Sequence, residues 1–276
     1  MANNKKPDLE KISQKIRIDI IKMISKAGSG HPAGSLGMVE VFVTLYFDIL
    51  NHDPKNPDWP MRDRLILSNG HICPVLYACL AHSGYFSPKQ LSSLRKFGSP
   101  LQGHPERTKL SGVETTSGPL GSGLAQAAGI ALAAKMDGMR FRVFAITSDG
   151  EHNEGNHWEA IMFASKYRLT NLTQIIDRNK IQLSGNTKDI MPIEPFVEKY
   201  KSFNWHAIEI NGHDINEIKD AISQARNEYQ APTAIIANTI PGKGVSFMEN
   251  RYEWHGKAPN KSETAKALKE LISHDK

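Results

Sequence analysis

Residues 141–155 read FRVFAITSDGEHNEG, and residues 172–185 read LTQIIDRNKIQLSG. In each, a short apolar run breaks abruptly into Asp, Asn and Gly. Near-continuous apolarity over 141–147, and again over 172–176, is what a parallel strand buried on both faces requires. Between the two runs, 154–168 carries the pattern of a helix. Downstream, β-like runs at 205–210 and 233–240 flank another helix at about 215–227. Strand and helix alternate, which predicts an α/β fold: a parallel sheet with helices on both faces. Ligands of such folds bind beyond the carboxyl ends of the strands. The two quoted runs end in the most polar residues of the region, so the site is expected there.

Working outward, Ile12, Ile16, Ile20 and Ile24 recur every fourth residue ahead of Gly28, predicting an amphipathic helix with a glycine stop. A second helix is expected over 35–50. The three prolines within 51–60 mark a surface loop, and Ser87-Pro88 is expected to open a helix that Gly98 closes. A last helix is read over 263–273.

Composition narrows the class. The chain has 276 residues with 34 Lys+Arg against 29 Asp+Glu, a net charge of +5. The basic residues are dispersed, so a nucleic-acid partner is not expected. The charge-free stretch 120–134 is rich in Gly and Ala and too short to cross a bilayer. MANNKKPDLEK at the start is polar and unlike a signal peptide. The two cysteines, Cys73 and Cys79, form neither a CxxC pair nor a disulfide framework, which points to a reducing cytoplasm.

Asp149 and Asn179 end their runs thirty positions apart, about one strand–helix–strand crossover. That spacing can set two hard oxygen ligands side by side, a donor set that suits magnesium completed by phosphate and water. Gly150 leaves room for an anion to approach the backbone, ahead of a helix N-terminus. Read alone, Asp149 could simply cap that helix. Five of the eleven histidines adjoin a glycine: His31, His71, His104, His213 and His255. Imidazoles on tight turns can project toward a ligand and exchange protons near neutral pH. A third feature is GPLGSG at 118–123, ahead of a helix of small residues. It matches neither GxGxxG nor GxxxxGK[ST], so nucleotide-binding readings lose their support.

Taken together, SGHPAGSLG (29–37), LSNGH (67–71), GHPE (103–106), GPLGSG (118–123), SDGE…EG (148–155), DRNKIQLSG (177–185) and GKGVSFMEN…WHG (242–256) resemble the N-terminal, diphosphate-binding part of transketolase, a thiamine diphosphate enzyme. The resemblance covers about 12–258. It departs from the family pattern at Ser148, where the first glycine of GDG is usual, and at Ala33, which separates the HP pair from its glycine. It implies the thiamine diphosphate-binding fold as a single domain over 1–276. It also implies that Asp149, Asn179 and the Ile181 carbonyl ligate Mg2+, or Ca2+, under the cofactor's diphosphate. Gly150, His71 and His255 would contact that diphosphate. Gly118 would meet the aminopyrimidine, while Leu120 and Leu183 pack against the cofactor. His31, His71, His104 and His255 would be the catalytic histidines of the substrate channel, and Glu154 and Glu159 would face a partner.

Single-chain members of the family continue into a pyrimidine-binding and a C-terminal domain, whereas this sequence stops at Lys276. The resemblance therefore implies one subunit of a split transketolase. Its partner would be a C-terminal transketolase subunit, the two assembling as a heterotetramer acting on sugar phosphates. The alternatives are a specialised sugar-catabolic transketolase, a pyruvate-using deoxyxylulose-phosphate synthase on the same scaffold, or a non-catalytic cofactor-binding subunit.

Overall fold

The computed structural model describes residues 7–273; the polar first residues and the Lys276 end read above lie outside the described residues. Five strands, β1 (Arg64–Leu67), β2 (Val143–Ser148), β3 (Leu172–Arg178), β6 (His206–Asn211) and β7 (Thr233–Asn238), form one sheet in the order β1-β2-β3-β7-β6. All four pairings are parallel. Two short strands, β4 (Ile181–Gln182) and β5 (Gly185–Asn186), make a separate antiparallel hairpin just past β3.

Alternation along β2 sorts its side chains onto opposite faces. Phe144 and Ile146 join a core built with α1 (Leu9–Ala27), α2 (Pro32–Gly37), α3 (Val39–Thr44), α4 (Cys73–Ser83) and, further along the chain, α9 (Ile215–Arg226). Val143 and Ala145 join the other core, with α5 (Ser122–Met136), α6 (Gly155–Lys166) and α8 (Phe196–Ser202). The remaining helices are a single turn, α7 (Thr187–Ile190), and α10 (Lys261–Ser273), which packs on α1. The parallel sheet with helices on both faces is thus as the sequence predicts.

Local chemistry accounts for the element ends. Asp8 caps α1 by accepting from the Lys11 N–H at 3.1 Å, and Gly28, at φ +70°, donates back to the Ile24 carbonyl at 3.0 Å. Ile16, Ile20 and Ile24 are fully buried, the stripe expected from their spacing. α5 is made of small residues because it lies almost on the strand ends: a Cβ at Gly123 would stand 2.4 Å from the Ser68 side chain.

Three expectations need correction. β1 is a strand the sequence reading did not separate; its four residues are too few to show a period. The helix expected over 35–50 is broken into α2, α3 and a π-turn at Leu45–Ile49. The break falls at Met38, whose φ of −96° and ψ of 9° leave the helical region, and close packing accounts for the glycines before it: a Cβ at Gly34 would stand 2.8 Å from Ile72 and one at Gly37 3.1 Å from the Ile240 carbonyl. The helix expected from Ser87 to Gly98 is only a 3-10 segment, Pro88–Ser93. It ends because Leu94 turns extended and Arg95 takes φ +59°. Cys73 and Cys79 are free and buried on α4. Among the described residues no helix is long and apolar enough to cross a membrane.

Candidate active site

The carboxyl ends of β1, β2 and β3 lie along one edge of the sheet, and the polar residues after them meet there. Ser148 pairs with Asp177 in the β2–β3 register, so the residues that follow run side by side. Asp149 is buried. Its Oδ1 accepts from the Gly150 N–H and its Oδ2 from the Lys180 N–H, both at 2.7 Å. Burial pushes its carboxyl up to about 7, with the neighbouring Asp177 adding to the shift and the two amide donors opposing it.

Asn179 is held just as firmly. Its Nδ2 donates to Asp177 Oδ2 at 2.8 Å, and its Oδ1 accepts from the Ile181 N–H at 3.0 Å. Asp177 in turn accepts from the Thr239 hydroxyl at 2.5 Å, and burial raises its carboxyl to about 6. Asp177 therefore fixes which edge of the Asn179 amide faces outward. Ile181 opens β4 immediately after.

The histidine side is assembled from turns. His31 precedes α2, His71 lies on the 3-10 turn Gly70–Ile72 after β1, and His255 follows the turn Tyr252–Trp254. Their rings converge: His31 and His71 are 5.1 Å apart between centroids, His71 and His255 5.1 Å, and His31 and His255 5.6 Å. His104 packs beside them, its Cδ2 3.2 Å from where a Cβ on Gly70 would stand. Burial lowers all four imidazoles, His31 to about 4 with His255 and Arg95 adding to the effect, and His71 well below its usual value. At neutral pH each ring is therefore uncharged and offers one donor and one acceptor nitrogen. His213, the fifth glycine-adjacent histidine, does not join this cluster and instead lines the cavity beside Asp149 and Asn179. Its Nδ1 lies 3.0 Å from Glu40, which also binds Arg17.

The two sides meet over α2 and the hairpin. Gly34 covers Ile72 and approaches Asp177, while the Leu183 side chain reaches toward Gly256 beside His31. Gly150 faces Gln182, a Cβ there standing 3.2 Å away. Leu183, 68 % exposed, and Leu120, 37 % exposed, stand out at the rim. Gly118, at φ +153°, has open space where a side chain would be. Glu154 and Glu159 are exposed at the start and along the outer side of α6.

The residues present suit a bound ligand. His31 Nδ1, Gln182 Nε2 and Ser117 Oγ are buried polar atoms without a hydrogen-bond partner, the kind of orphan that native interiors avoid. Two rim leucines left in water want an apolar ring. Among the described residues no three His, Cys, Asp or Glu side chains cluster to hold a metal. A cation here would need the oxygens of Asp149, Asn179 and a backbone carbonyl together with those of its ligand, which suits magnesium.

Sequence reasoning passed over several residues. Arg95 donates to Ser29 Oγ at 3.4 Å and packs on Gly103, placing a cation beside His31 and His104. Nothing in its loop announces this. Asp177 and Glu151 lie inside quoted motifs yet received no role. An acid ending an apolar strand was the signal for the first; the second gave none, since only tertiary packing buries it.

Comparison with known proteins agrees with this geometry. The model of the transketolase, thiamine diphosphate binding domain, matches residues 9–276. A 6-deoxy-6-sulfo-D-fructose transketolase subunit from a Clostridium species is 43% identical over 248 residues, 90% of each chain. An apulose-4-phosphate transketolase subunit from Actinobacillus succinogenes is 42% identical over 266 residues, 96% of each chain. The solved transketolase from Leishmania mexicana superposes with a TM-score of 0.90 at 30% identity, over 97% of this chain and 42% of that one. The chain thus spans nearly the whole of the subunit-type relatives and under half of the solved enzyme.

Proposed function

We propose, from the premise that this chain belongs to the transketolase family and carries its thiamine diphosphate-binding domain, that it is one subunit of a two-chain transketolase. It transfers a two-carbon ketol unit from a ketose phosphate to an aldose phosphate only when joined to a second polypeptide. That partner supplies the pyrimidine-binding and C-terminal domains, and residues 1–276 form a single diphosphate-binding domain. The assembly is a heterotetramer working in the cytoplasm. The observation that carries the reading is the meeting, on one sheet edge, of an Asp149–Asn179 oxygen pair with four uncharged imidazoles.

When bound, thiamine diphosphate supplies the electron sink that carbon–carbon cleavage beside a carbonyl requires. Asp149, Asn179 and the Ile181 carbonyl would hold Mg2+, with Ca2+ an acceptable substitute. Gly150 leaves the backbone open to the diphosphate, and His71 and His255 border it. The Gly118 carbonyl, Leu120 and Leu183 are suited to the cofactor's rings. His31, His104 and their neighbours, neutral at pH 7, can take a hydroxyl proton at the bare nitrogen and return it from the protonated one. Arg95 presents a cation to an anionic sugar. Glu154, Glu159 and the exposed apolar side chains of α6 (Met162, Phe163) and Tyr167 just past its end offer a face for the partner.

A second reading is favoured by the names of the subunit-type relatives, which describe 6-deoxy-6-sulfo-D-fructose and apulose-4-phosphate. This chain would then serve a dedicated sugar-catabolic transketolase rather than the pentose phosphate pathway. The test is to co-purify the tagged chain with its native partner and assay ketol transfer with thiamine diphosphate and magnesium. Activity is expected in the complex and absent from the single chain. Carbon dioxide released from pyruvate would instead identify the synthase reaction. Full activity in an Asp149→Ala complex would reduce this chain to a non-catalytic subunit.

A further inference from the structure

Glu151 is fully buried one residue past Gly150, and among the described residues no lysine, arginine or histidine side chain bonds to it. Its Oε1 accepts from the Ser68 hydroxyl and from the Gly121 N–H at 2.7 Å; its Oε2 accepts from the Ser148 N–H at 3.1 Å. The Ser68 oxygen in turn accepts from the Gly123 N–H at 3.1 Å. Every partner of the carboxylate is a donor, as an ionised acid needs. The countercharge comes from α5, whose first amides carry the positive end of the helix dipole and whose own segment supplies no side-chain cap.

Those three partners come from three separate segments, each of which carries a cofactor-facing residue nearby. Ser68 precedes His71 after β1, Gly121 follows Gly118 and Leu120, and Ser148 precedes Asp149 and Gly150. The glycine loop therefore has no free amides at Gly121 and Gly123 with which to bind a phosphate. Its remaining contribution is the open ring-facing edge at Gly118.

We infer that Glu151 is a positioning residue for the cofactor: an internal anion that occupies the start of α5 and locks the ring-facing loop, the His71 turn and the Asp149 turn at one mutual spacing. This rests on the thiamine diphosphate reading above and adds what sets the distance between its ring and diphosphate contacts. Glu151→Gln keeps the shape but turns an amide N–H2 toward a backbone donor. Glu151→Ala empties the place and leaves the donors of α5 free.

The test uses the two-chain complex, measuring the KM for thiamine diphosphate, kcat at saturating cofactor, and melting temperature. Both variants are expected to raise that KM about tenfold, the scale of a lost charge-assisted hydrogen bond, with kcat changed less than about threefold. Added formate should restore the KM of Glu151→Ala alone, because a small carboxylate can refill the vacated place; a merely architectural role would not respond to it. Should both variants fail to fold, Ser68→Ala, which removes one donor only, is expected to raise the KM about threefold. An unchanged cofactor KM in folded variants, or no change in Ser68→Ala, overturns the inference. Failure of the wild-type complex to use thiamine diphosphate at all would instead overturn the cofactor reading.

Discussion

The two halves of the site are built by different means. Asp149 and Asn179 hang from the ends of adjacent parallel strands, and the sheet register fixes their separation. His31, His71, His104 and His255 come from four turns spread over more than two hundred residues, gathered by the packing of α2, the β1 turn and two long loops. One half is set by backbone ladders. The other is set by side-chain and turn packing, with an orphaned His31 nitrogen and two water-exposed leucines still to be covered. The strand-end half should therefore anchor the cofactor's diphosphate, while in the turn-built half His31 and His104 should handle the substrate and His71 and His255 serve both.

The largest expected effect breaks the anchoring half. Asp149→Ala or Asn179→Ala in the two-chain complex should cut ketol transfer about a thousandfold, since loss of a metal site removes several kcal/mol of transition-state stabilisation. The isolated chain should remain folded by circular dichroism, because neither side chain belongs to an apolar core. Activity within tenfold of wild type would show that the oxygen pair anchors nothing.

Next comes the turn-built half. His31→Ala and His104→Ala should lower kcat about a hundredfold, the usual worth of a proton-transfer group, while the KM for thiamine diphosphate changes little. A loss of cofactor affinity matching that of Asn179→Ala would erase the proposed division.

What was legible in the sequence follows the same line. Strands β2, β3 and β7 announce themselves because burial on both faces demands near-continuous apolar runs, whereas the edge strand β6 is half-exposed and shows only a partial one; Asp149 and Asn179 are readable as residues just past where such runs stop. The histidines could be noticed for their glycine neighbours, but spacing could not show that four converge while His213 goes instead to Glu40. Arg95 was invisible for a related reason, since its direction depends on a positive φ in a loop that read as a helix end. Glu151 was hidden by its setting: an acid beside a glycine looks like a solvent-facing turn residue until tertiary packing buries it.

A pH measurement sharpens the comparison by probing what supports the anchoring half. His152 is buried beneath it, its Nδ1 2.9 Å from the Ser148 carbonyl, and burial lowers its imidazole to about 4. Above about pH 6.5 the ring is neutral folded or unfolded. As pH falls from there toward 4, the unfolded chain takes up the proton first, so stability is lost. Between about pH 7 and about pH 5 the wild-type chain should lose on the order of 2 kcal/mol more than His152→Asn by urea denaturation. Equal losses in the two proteins would contradict a buried neutral imidazole.

The smallest expected effect concerns the outer face of α6, where the exposed Phe163 and Tyr167 rings lie tilted against each other, 4.7 Å between centroids. Phe163→Glu should weaken binding of the second chain about tenfold, as for an aromatic anchor of moderate weight, leaving the fold of the isolated chain intact. Unchanged affinity in a sedimentation assay would move the partner to another surface.

The most direct test of the central claim is a calorimetric titration of thiamine diphosphate into the two-chain complex, with magnesium and again after chelation. The account predicts saturable binding with magnesium, lost on chelation and equally lost in Asn179→Ala. Binding of the same strength without a divalent cation, or undiminished in Asn179→Ala, would contradict it.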